Sequence, residues 1–379
     1  MAIRLYDTAQ REVAPFEPGP VVRMYTCGIT PYDSAHLGHA ATYLAYDVLQ
    51  RRLRDLGHET RCVRNITDVD DDILRKAREL DVHYLDLAAE ESKRFEEQMC
   101  ALGLIPPYRE PRATSAIPDI LGFIQAVLDA GHAYRSAGAV YFDVSSSERF
   151  GRLSRLGRGE MLTLARERGG NPDDPAKRDP LDFVLWQPSL PDEPSWESAW
   201  GPGRPGWHVE CSALALRELG TTLDLHGGGD DLVFPHHECE SVQSEAATGQ
   251  EFVRHWMHVG MVRLDGEKMS KSLGNLVFVG ELLKDHEPAA LRLALLSRHY
   301  RSSWDWVPEM LEEAEARLDR WRASGKGEGA LEEVRARLDD DLDAPGALQA
   351  VDEAAAAGDG VSAAAALLGV ELAAAGGSR

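Results

Sequence analysis

The stretch GEKMSKSLGN, residues 266–275, places two lysines close together in a chain that otherwise uses arginine for its cations. Of the 41 basic residues only seven are lysine, and Lys268 and Lys271 stand beside serines and a glycine. A lysine ammonium is a mobile point charge, which suits a phosphate group whose charge moves during a reaction. A solvated surface turn explains any bare Lys-Ser segment equally well. The pattern therefore makes both lysines candidates for phosphate chemistry.

The segment His36-Leu37-Gly38-His39 is a second candidate, because it lies between an apolar strand and a helical pattern. A helix N-terminus presents unpaired N–H groups and a partial positive charge. Imidazoles at His36 and His39 can approach phosphate oxygens there, and Gly38 leaves room for a flat ring. A plain helix cap with two surface histidines explains the same residues, so both interpretations stay open.

Cys27, Cys211, His236 and Glu240 form a donor set that suits a tetrahedral zinc ion. Their spacing is far longer than that of a zinc finger, so spacing alone does not predict a metal. Buried structural thiols are the alternative for the cysteines, and a surface glutamate on a helix is the alternative for Glu240. Three neighbours compete as ligands: His237, Glu238 and Cys239.

Composition limits the class of protein. The net charge of −22 disfavours broad binding to nucleic acid, and the 43% hydrophobic content is that of a globular chain. No apolar run approaches the ~20 residues of a membrane span, and the N-terminus has no secretory signal. Five scattered cysteines do not form a disulfide framework. We expect a cytoplasmic protein with two or three compact units.

The elements that position these residues follow from hydrophobic periodicity. Residues 21–27 and 60–66 are predicted strands, and the apolar positions from His39 to Leu56 recur at helical spacing. Strand, helix and strand over so short a span form a βαβ unit, which predicts a parallel sheet.

The rest of the chain divides by composition. Other predicted elements are helices over most of 73–135, a strand at 139–143, irregular loops at 155–206, strand–helix alternation again at 222–226 and 251–262, and a helical region from near Pro308. Residues 353–376 are Ala/Gly-rich, and we expect one marginal helix or a frayed tail there.

Longer motifs resemble a known family. HxGH together with KMSKS is the pair of signatures of class I aminoacyl-tRNA synthetases. The stretches MYTCGITPYDSAHLGH, RNITDVDD, PGWHVECSA and DLHGGGDDLVFPHHE resemble the cysteine-activating enzymes of that class, over about residues 3 to 322. The resemblance implies an α/β fold: a doubly wound, Rossmann-type parallel sheet with an insertion and a helical C-terminal domain. It implies a catalytic domain at 1–300, with its insertion at about 73–206, and a helical region at 301–379 with a tail from about 353.

The cysteine-activating family contains cysteinyl-tRNA synthetases and ligases that join cysteine to the amine of glucosaminyl-inositol. CGITPYD, GHAATYLAYD and the segment ERGGNP at 167–172 look like the ligases. Only 57 residues follow position 322, which leaves little room for a tRNA-reading domain. Glu240 departs from this pattern, because ligases often lack a carboxylate there. Open alternatives are a cysteinyl-tRNA synthetase without a full anticodon domain, a stand-alone cysteine-activating paralogue, and an inert paralogue that binds nucleotide or zinc.

The resemblance also implies site residues. The catalytic set would be His36, His39, Lys268 and Lys271, and one Zn²⁺ would bind Cys27, Cys211, His236 and Glu240. ATP with Mg²⁺, L-cysteine and glucosaminyl-inositol would be the small molecules, with neither tRNA nor membrane as partner, and the chain would be a monomer. Contacts to the cysteinyl-adenylate would come from Cys27, Gly28, Ile29, Thr30, Gly38, Thr42, Asn65, Ile66, Thr67, Trp207, Gly229, Asp230, Asp231 and Val262.

Two of these residues have plain structural alternatives. Trp207 could be an ordinary core residue, although its place four positions before Cys211 favours a pocket wall. Asp231 follows three glycines and could cap a helix. The acidic run at 68–72 is interpreted as dipole partners of a helix start rather than as a metal site.

Overall fold

The computed structural model describes residues 3–33, 35–269 and 273–372. Its strands are β1 Ile3–Asp7, β2 Glu12–Phe16, β3 Val21–Ile29, β4 Glu59–Ile66, β5 Ala133–Ser136, β6 Ala139–Phe142, β7 Phe183–Gln187, β8 Arg204–Pro205, β9 Leu225–Gly229, β10 Trp256–Val259, β11 Val262–Leu264, β12 Glu267–Lys268 and β13 Trp304–Asp305. Its helices are α1 Leu37–Asp55, α2 Asp71–Leu80, α3 Tyr84–Ala101, α4 Ile117–Asp129, α5 Arg158–Glu167, α6 Trp207–Leu219, α7 Glu238–Thr248, α8 Val279–Asp285, α9 Pro288–Leu296, α10 Glu309–Ser324, α11 Leu331–Asp339, α12 Ala344–Ala357 and α13 Ser362–Leu367.

The central sheet has the strand order β10–β9–β3–β4, and each neighbouring pair is parallel. Side chains of β3 point to alternate faces. Val22 and Met24 pack in the core that contains α1, whereas Tyr25 and Cys27 pack in the core that contains α4 and α6. Helices therefore cover both faces, which confirms the doubly wound α/β sheet and the predicted βαβ unit.

The carboxyl ends of β3, β4 and β9 meet at one edge of this sheet, because the strands are parallel. Ile29, Ile66 and Gly229 are the last residues of these strands. Sheets of this type bind ligands in the crevice outside that edge. The predicted strand at 222–226 lies three residues further along, at Leu225–Gly229, so its glycines are part of the strand end.

The insertion contains more regular structure than its composition indicates. Strands β5, β6, β7 and β8 form an antiparallel sheet, and α5 precedes β7. The expectation of irregular loops throughout 155–206 is therefore wrong. Phe183, Leu185 and Trp186 are buried in the core that contains α4 and α6. Tertiary packing therefore stabilises a strand that the Gly, Pro and Asp residues around it made hard to predict from the sequence.

The C-terminal helices pack on the catalytic core. Val361, Leu368 and Val370 are almost fully buried, which contradicts the expectation of a marginal helix or a frayed tail up to residue 372. The buried Arg292 guanidinium donates to the Leu368 carbonyl at 2.7 Å and pairs with Asp47 of α1. Residues 373–379 lie outside the described part, and the domain boundaries stay predictions. Among the described helices, none is both long and apolar enough to cross a membrane.

Candidate active site and metal cluster

Four side chains from distant segments meet at the carboxyl edge of the sheet. Cys27 comes from β3, Cys211 from α6, Glu240 from α7 and His236 from the turn before α7. The Cys27 and Cys211 Sγ atoms are 3.8 Å apart, Cys27 Sγ lies 3.3 Å from Glu240 Oε1, and His236 Nε2 lies 3.0 Å from the same oxygen. One donor atom from each residue lies within 4.8 Å of the others, and all four residues are buried.

A close backbone approach positions the first of these thiols. A Cβ added to Gly28 would lie 1.5 Å from the Asn65 carbonyl oxygen, so only glycine fits after Cys27. The Gly28 N–H donates to Asn65 Oδ1 at 2.8 Å, and the Cys211 thiol lies 3.5 Å from that oxygen. Asn65 therefore links β3, β4 and α6 directly beneath the cluster.

The donor geometry fits a zinc ion. Zn–S bonds of about 2.3 Å at a tetrahedral angle place two sulfurs about 3.8 Å apart, and the two thiols stand at 3.8 Å. His236 and Glu240 are four positions apart, so they lie on one helical face. His208 Nδ1 lies 2.9 Å from His236 Nδ1 and fixes the orientation of that ring. The interpretation of Glu240 as a surface residue is wrong, because its side chain is fully buried. Both cluster thiols are buried, as the alternative interpretation predicted, and they lie next to two further donor residues.

Mutual interactions set the protonation of the cluster. The hydrogen bond with Cys27 is the main cause that lowers the pKa of Cys211 to about 6, and burial raises the pKa of Cys27. Burial opposes charge on His236, but Glu240 and Cys211 outweigh it and raise the pKa of His236 to about 10. Burial likewise opposes charge on Glu240, but His236 and His226 lower its pKa to about 2. A divalent cation would compete with the remaining protons on Cys27 and His236.

A second donor set overlaps the first. His226 and His237 join Cys27 and Glu240 in it. His237 Nε2 lies 3.2 Å from Cys27 Sγ, and His226 Nε2 lies 3.2 Å from Glu240 Oε2. Sequence reasoning counted His237 only as a competing ligand and gave His226 no role. The sequence did contain an indication for His226, because this residue belongs to DLHGGGDD, one of the motifs that resemble the family.

The other two competing ligands lie outside both sets. The Glu238 carboxylate accepts the N–H groups of Gly151 and Ser154 at 2.8 and 2.7 Å. Cys239 packs in the apolar core that contains α6. Both are turned away because consecutive residues of α7 point in different directions.

The HLGH segment begins α1. His36 is the N-cap, and its Nδ1 accepts the Gly38 N–H at 3.1 Å. The His36 and His39 rings stack with centroids 3.9 Å apart, and a Cβ on Gly38 would lie 2.8 Å from the His36 ring. Thr42 donates its hydroxyl to the Gly38 carbonyl at 2.9 Å. His36 is thus a helix cap, but neither histidine is fully exposed, and both imidazoles lie at the positive end of the helix.

An ion pair links the lysine loop, residues 266–275, to the turn after β9. Lys268 Nζ donates to Asp231 Oδ2 at 2.9 Å. Asp231 lies inside a short 3₁₀ turn whose N-cap is Gly229, so the helix-cap interpretation of Asp231 is wrong. The Arg168 guanidinium contacts the carbonyls of Asp231 and Phe234 and fixes this turn. Lys271 lies outside the described residues.

Comparisons with known proteins agree with this geometry. The sequence model of a family described as "tRNA synthetases class I (C) catalytic domain" matches residues 13–316. The chain belongs to this class I synthetase family. Proteins named "L-cysteine:1D-myo-inositol 2-amino-2-deoxy-alpha-D-glucopyranoside ligase" are similar to it. That of Thermobispora bispora is 51% identical, covering 96% of this chain and 92% of the relative, and that of Nakamurella multipartita is 49% identical, covering 98% and 95%. The resemblance inferred from the motifs is confirmed.

Solved structures of the class I synthetase family support the fold. Methionyl-tRNA synthetase of Mycobacterium tuberculosis, in complex with methionyl-adenylate, matches with a TM-score of 0.67 at 18% identity, covering 89% of this chain and 82% of that one. A putative arginyl-tRNA synthetase of Campylobacter jejuni matches with a TM-score of 0.59 at 11% identity, covering 93% of each chain. At these identities the likeness concerns the fold alone.

The remaining residues predicted for this class I site lie along the same edge. The Thr30 hydroxyl donates to Asp70 at 2.9 Å, and Asn65 Nδ2 donates to the Thr67 hydroxyl at 3.0 Å. Trp207 is only half-buried, and its ring lies 4.1 Å from that of His236, so it borders the cluster rather than the core. Three apolar residues of the predicted set have buried side chains: Ile29, Ile66 and Val262.

The acidic run has the structural role that the sequence predicts. Asp70 caps α2 by accepting the Ile73 N–H at 2.9 Å, and Asp71 and Asp72 lie in the first turn. Asp68 accepts the N–H and the hydroxyl of Thr114. Burial is the main cause that raises the pKa of Asp70 to about 6.

Proposed function

We propose that this protein activates L-cysteine with ATP and transfers the cysteinyl group to the amine of glucosaminyl-inositol. The buried cluster of two thiols, an imidazole and a carboxylate carries the proposal, because it offers a sulfur-selective metal at the edge of a class I sheet. The acceptor follows from the name of relatives that are about half identical over nearly the full chain.

The metal in this proposal is zinc, held by Cys27, Cys211, His236 and Glu240. When bound, it supplies a Lewis acid that takes up the thiolate of the substrate. A serine hydroxyl is a much poorer ligand for zinc, so the site discriminates by chemistry rather than by size. Trp207 would form the wall beside the substrate, since its ring already lies against His236.

The first chemical step is adenylation. A carboxylate oxygen of cysteine attacks the α-phosphorus of ATP, and the bond to pyrophosphate breaks. His36 and His39 at the start of α1, together with Lys268 and Lys271, would neutralise the phosphate charge, with Mg²⁺ accompanying ATP. Such catalysis consists mainly of positioning and electrostatic stabilisation.

The second step is acyl transfer. The neutral acceptor amine attacks the carbonyl carbon of cysteinyl-AMP, an amide bond forms, and AMP leaves with the electron pair of the broken anhydride bond. The proton that the amine loses passes to the solvent. Asp231 would meanwhile hold the ribose, because its turn is fixed by Arg168 and its carboxylate faces the lysine loop.

One experiment tests the proposal. The purified protein is incubated with ATP and labelled cysteine, and either glucosaminyl-inositol or tRNA is added. We expect a cysteinyl amide of the amino sugar and one AMP for each amide formed. Charging of tRNA without amide formation would instead favour a cysteinyl-tRNA synthetase. Exchange of pyrophosphate without transfer to either acceptor would favour a stand-alone cysteine-activating paralogue.

A further inference from the structure

A cavity of about 420 Å³ lies beside the edge strand β10, next to the predicted adenylate site. Its walls come from the N-terminal hairpin, the insertion around α5, the turn that follows β9, the end of β10 and the segment before β13. A volume of this size lies in the range of small-molecule sites and exceeds what a single inorganic ion needs. The inference depends on these lining residues: Tyr6, Arg11, Leu164, Arg168, Asp230, His258 and Arg301.

The cavity shares walls with the candidate active site. Asp230 lines it and precedes Asp231, whose carboxylate pairs with Lys268. His258 also lines it, and its Nε2 lies 2.7 Å from His237 Nδ1. The opposite nitrogen of His237 lies 3.2 Å from Cys27 Sγ. The His237 ring therefore lies between Cys27 of the donor set and His258 in the cavity wall.

The lining suits a polyhydroxylated ligand with one amine. Three arginines, Arg11, Arg168 and Arg301, and one acidic residue, Asp230, line the cavity. Arg301 also pairs with the Asp341 carboxylate at 2.6 Å, and Arg168 also contacts two carbonyls of the turn after β9. Arg11 already donates to the Ser154 carbonyl at 2.8 Å. A guanidinium has five N–H donors, so it keeps others for ligand hydroxyls.

An aromatic ring adds an apolar surface for a sugar. Tyr6 lines the cavity, and the Arg301 guanidinium lies 4.6 Å from its ring centre, which orients both groups. A purely anionic ligand would gain from the arginines but not from Asp230. An amino sugar uses both kinds of side chain, since its amine N–H can donate to the carboxylate while its hydroxyls accept from the guanidinium groups.

We infer that this cavity binds the acceptor, an amino sugar joined to a cyclitol, beside the activated cysteine. The inference rests on the proposed function, which supplies the chemical class of the acceptor. It assigns the recognition of hydroxyl groups to Arg11, Arg168 and Arg301, and it assigns the pairing with the amine to Asp230.

The test fills the cavity without touching the first reaction step. Leu164→Trp places an indole inside the cavity, and Thr163→Trp adds the same bulk at the neighbouring exposed position of α5. We measure cysteine-dependent pyrophosphate exchange and the KM for glucosaminyl-inositol in both variants. Leu164→Trp should raise this KM at least tenfold while exchange stays within about twofold of the wild type, and Thr163→Trp should change neither.

A second variant covers the possibility that the tryptophan disturbs folding. Arg11 is exposed and has a left-handed backbone (φ 61°), which asparagine tolerates. Arg11→Asn should raise the KM for the acceptor about five- to tenfold, since a hydrogen bond from a charged donor is lost. Arg152→Asn, at an exposed position outside the cavity, is its control.

The outcomes separate two kinds of failure. A wild type that makes no amide with glucosaminyl-inositol would overturn the proposed function itself. A wild type that ligates, with Leu164→Trp and Arg11→Asn matching their controls, would overturn only the cavity assignment. Loss of pyrophosphate exchange in both folded variants would also overturn it, because the cavity would then serve ATP or cysteine.

Discussion

The Sγ atoms of Cys27 and Cys211 lie 3.8 Å apart although 184 positions separate the residues. This distance is what two ligands of one tetrahedral zinc require, and no disulfide joins them. Substrate selection in the proposed reaction depends on this pair, because the metal that they would hold is what would distinguish a thiol from a hydroxyl.

Cys27→Ala should weaken metal binding, because it removes one of the two sulfur ligands. We expect zinc affinity to fall at least tenfold, and pyrophosphate exchange to lose its preference for cysteine over serine. Metal analysis after dialysis and competition with a chelator measure the first effect. Cys62→Ala is the matched control, since Cys62 is also buried but lies outside both donor sets. Normal cysteine-dependent pyrophosphate exchange by a zinc-free Cys27→Ala variant would contradict the assignment of the metal site.

Lys268→Met should slow adenylation and leave the metal in place. The ammonium that pairs with Asp231 is removed, and the charge that stabilises the departing pyrophosphate goes with it. We expect the rate of cysteine-dependent pyrophosphate exchange to fall by about 10² or more, in line with the loss of one electrostatic contact in a transition state. Lys271→Ala should behave in the same way.

Lys284→Met, which removes an exposed lysine paired with Glu281 of its own helix, is the control for Lys268→Met. Equal rates in Lys268→Met and Lys284→Met would show that the loop lysine has no part in the reaction.

Asp70→Asn should remove a pH dependence of stability. Burial raises the pKa of Asp70 to about 6 in the folded protein, above its value of 3.8 in an unfolded chain. The folded state therefore binds more protons between these values, and the free energy of unfolding falls as pH rises from about 4 to about 6. Two pKa units correspond to roughly 2–3 kcal/mol.

Asparagine keeps the α2 cap without this titration. Denaturant unfolding at pH 4 and pH 7 should therefore give a gain for Asp70→Asn that increases with pH. Asp81→Asn, at the exposed far end of α2, should give none. A constant difference between wild type and Asp70→Asn across this range would contradict the assignment.

Truncation after Ala357 should destabilise the whole protein. It removes α13, exposes the surface that now buries Val361, Leu368 and Val370, and takes away the carbonyl that Arg292 contacts at 2.7 Å. Burial of three apolar side chains is worth about 5 kcal/mol, so we expect Tm to fall by at least about 5 °C. A chain that ends at Leu372 keeps all these contacts and is the control. Equal Tm values for the two truncations would mean that α13 contributes nothing to the fold.

The sequence determined most of the local structure and the identity of the chemical groups. The βαβ unit from Val21 to Ile66 follows from the periodicity of its apolar side chains, and the cap at His36 follows from the residues around it. The presence of both HxGH and KMSKS indicated the family, because sequence motifs can be identified without knowledge of the tertiary structure.

Only the tertiary structure decided which side chains meet. His226 and His237 approach Cys27 and Glu240 because β9 and α7 pack beside β3, and no spacing along the chain encodes that contact. Packing also decided that β7 forms within a Gly- and Pro-rich insertion and that apolar residues of the alanine-rich end, such as Val361, Leu368 and Val370, are buried in the core. Local propensity is weak in such segments, so the apolar surface they bury against other parts of the chain determines their structure.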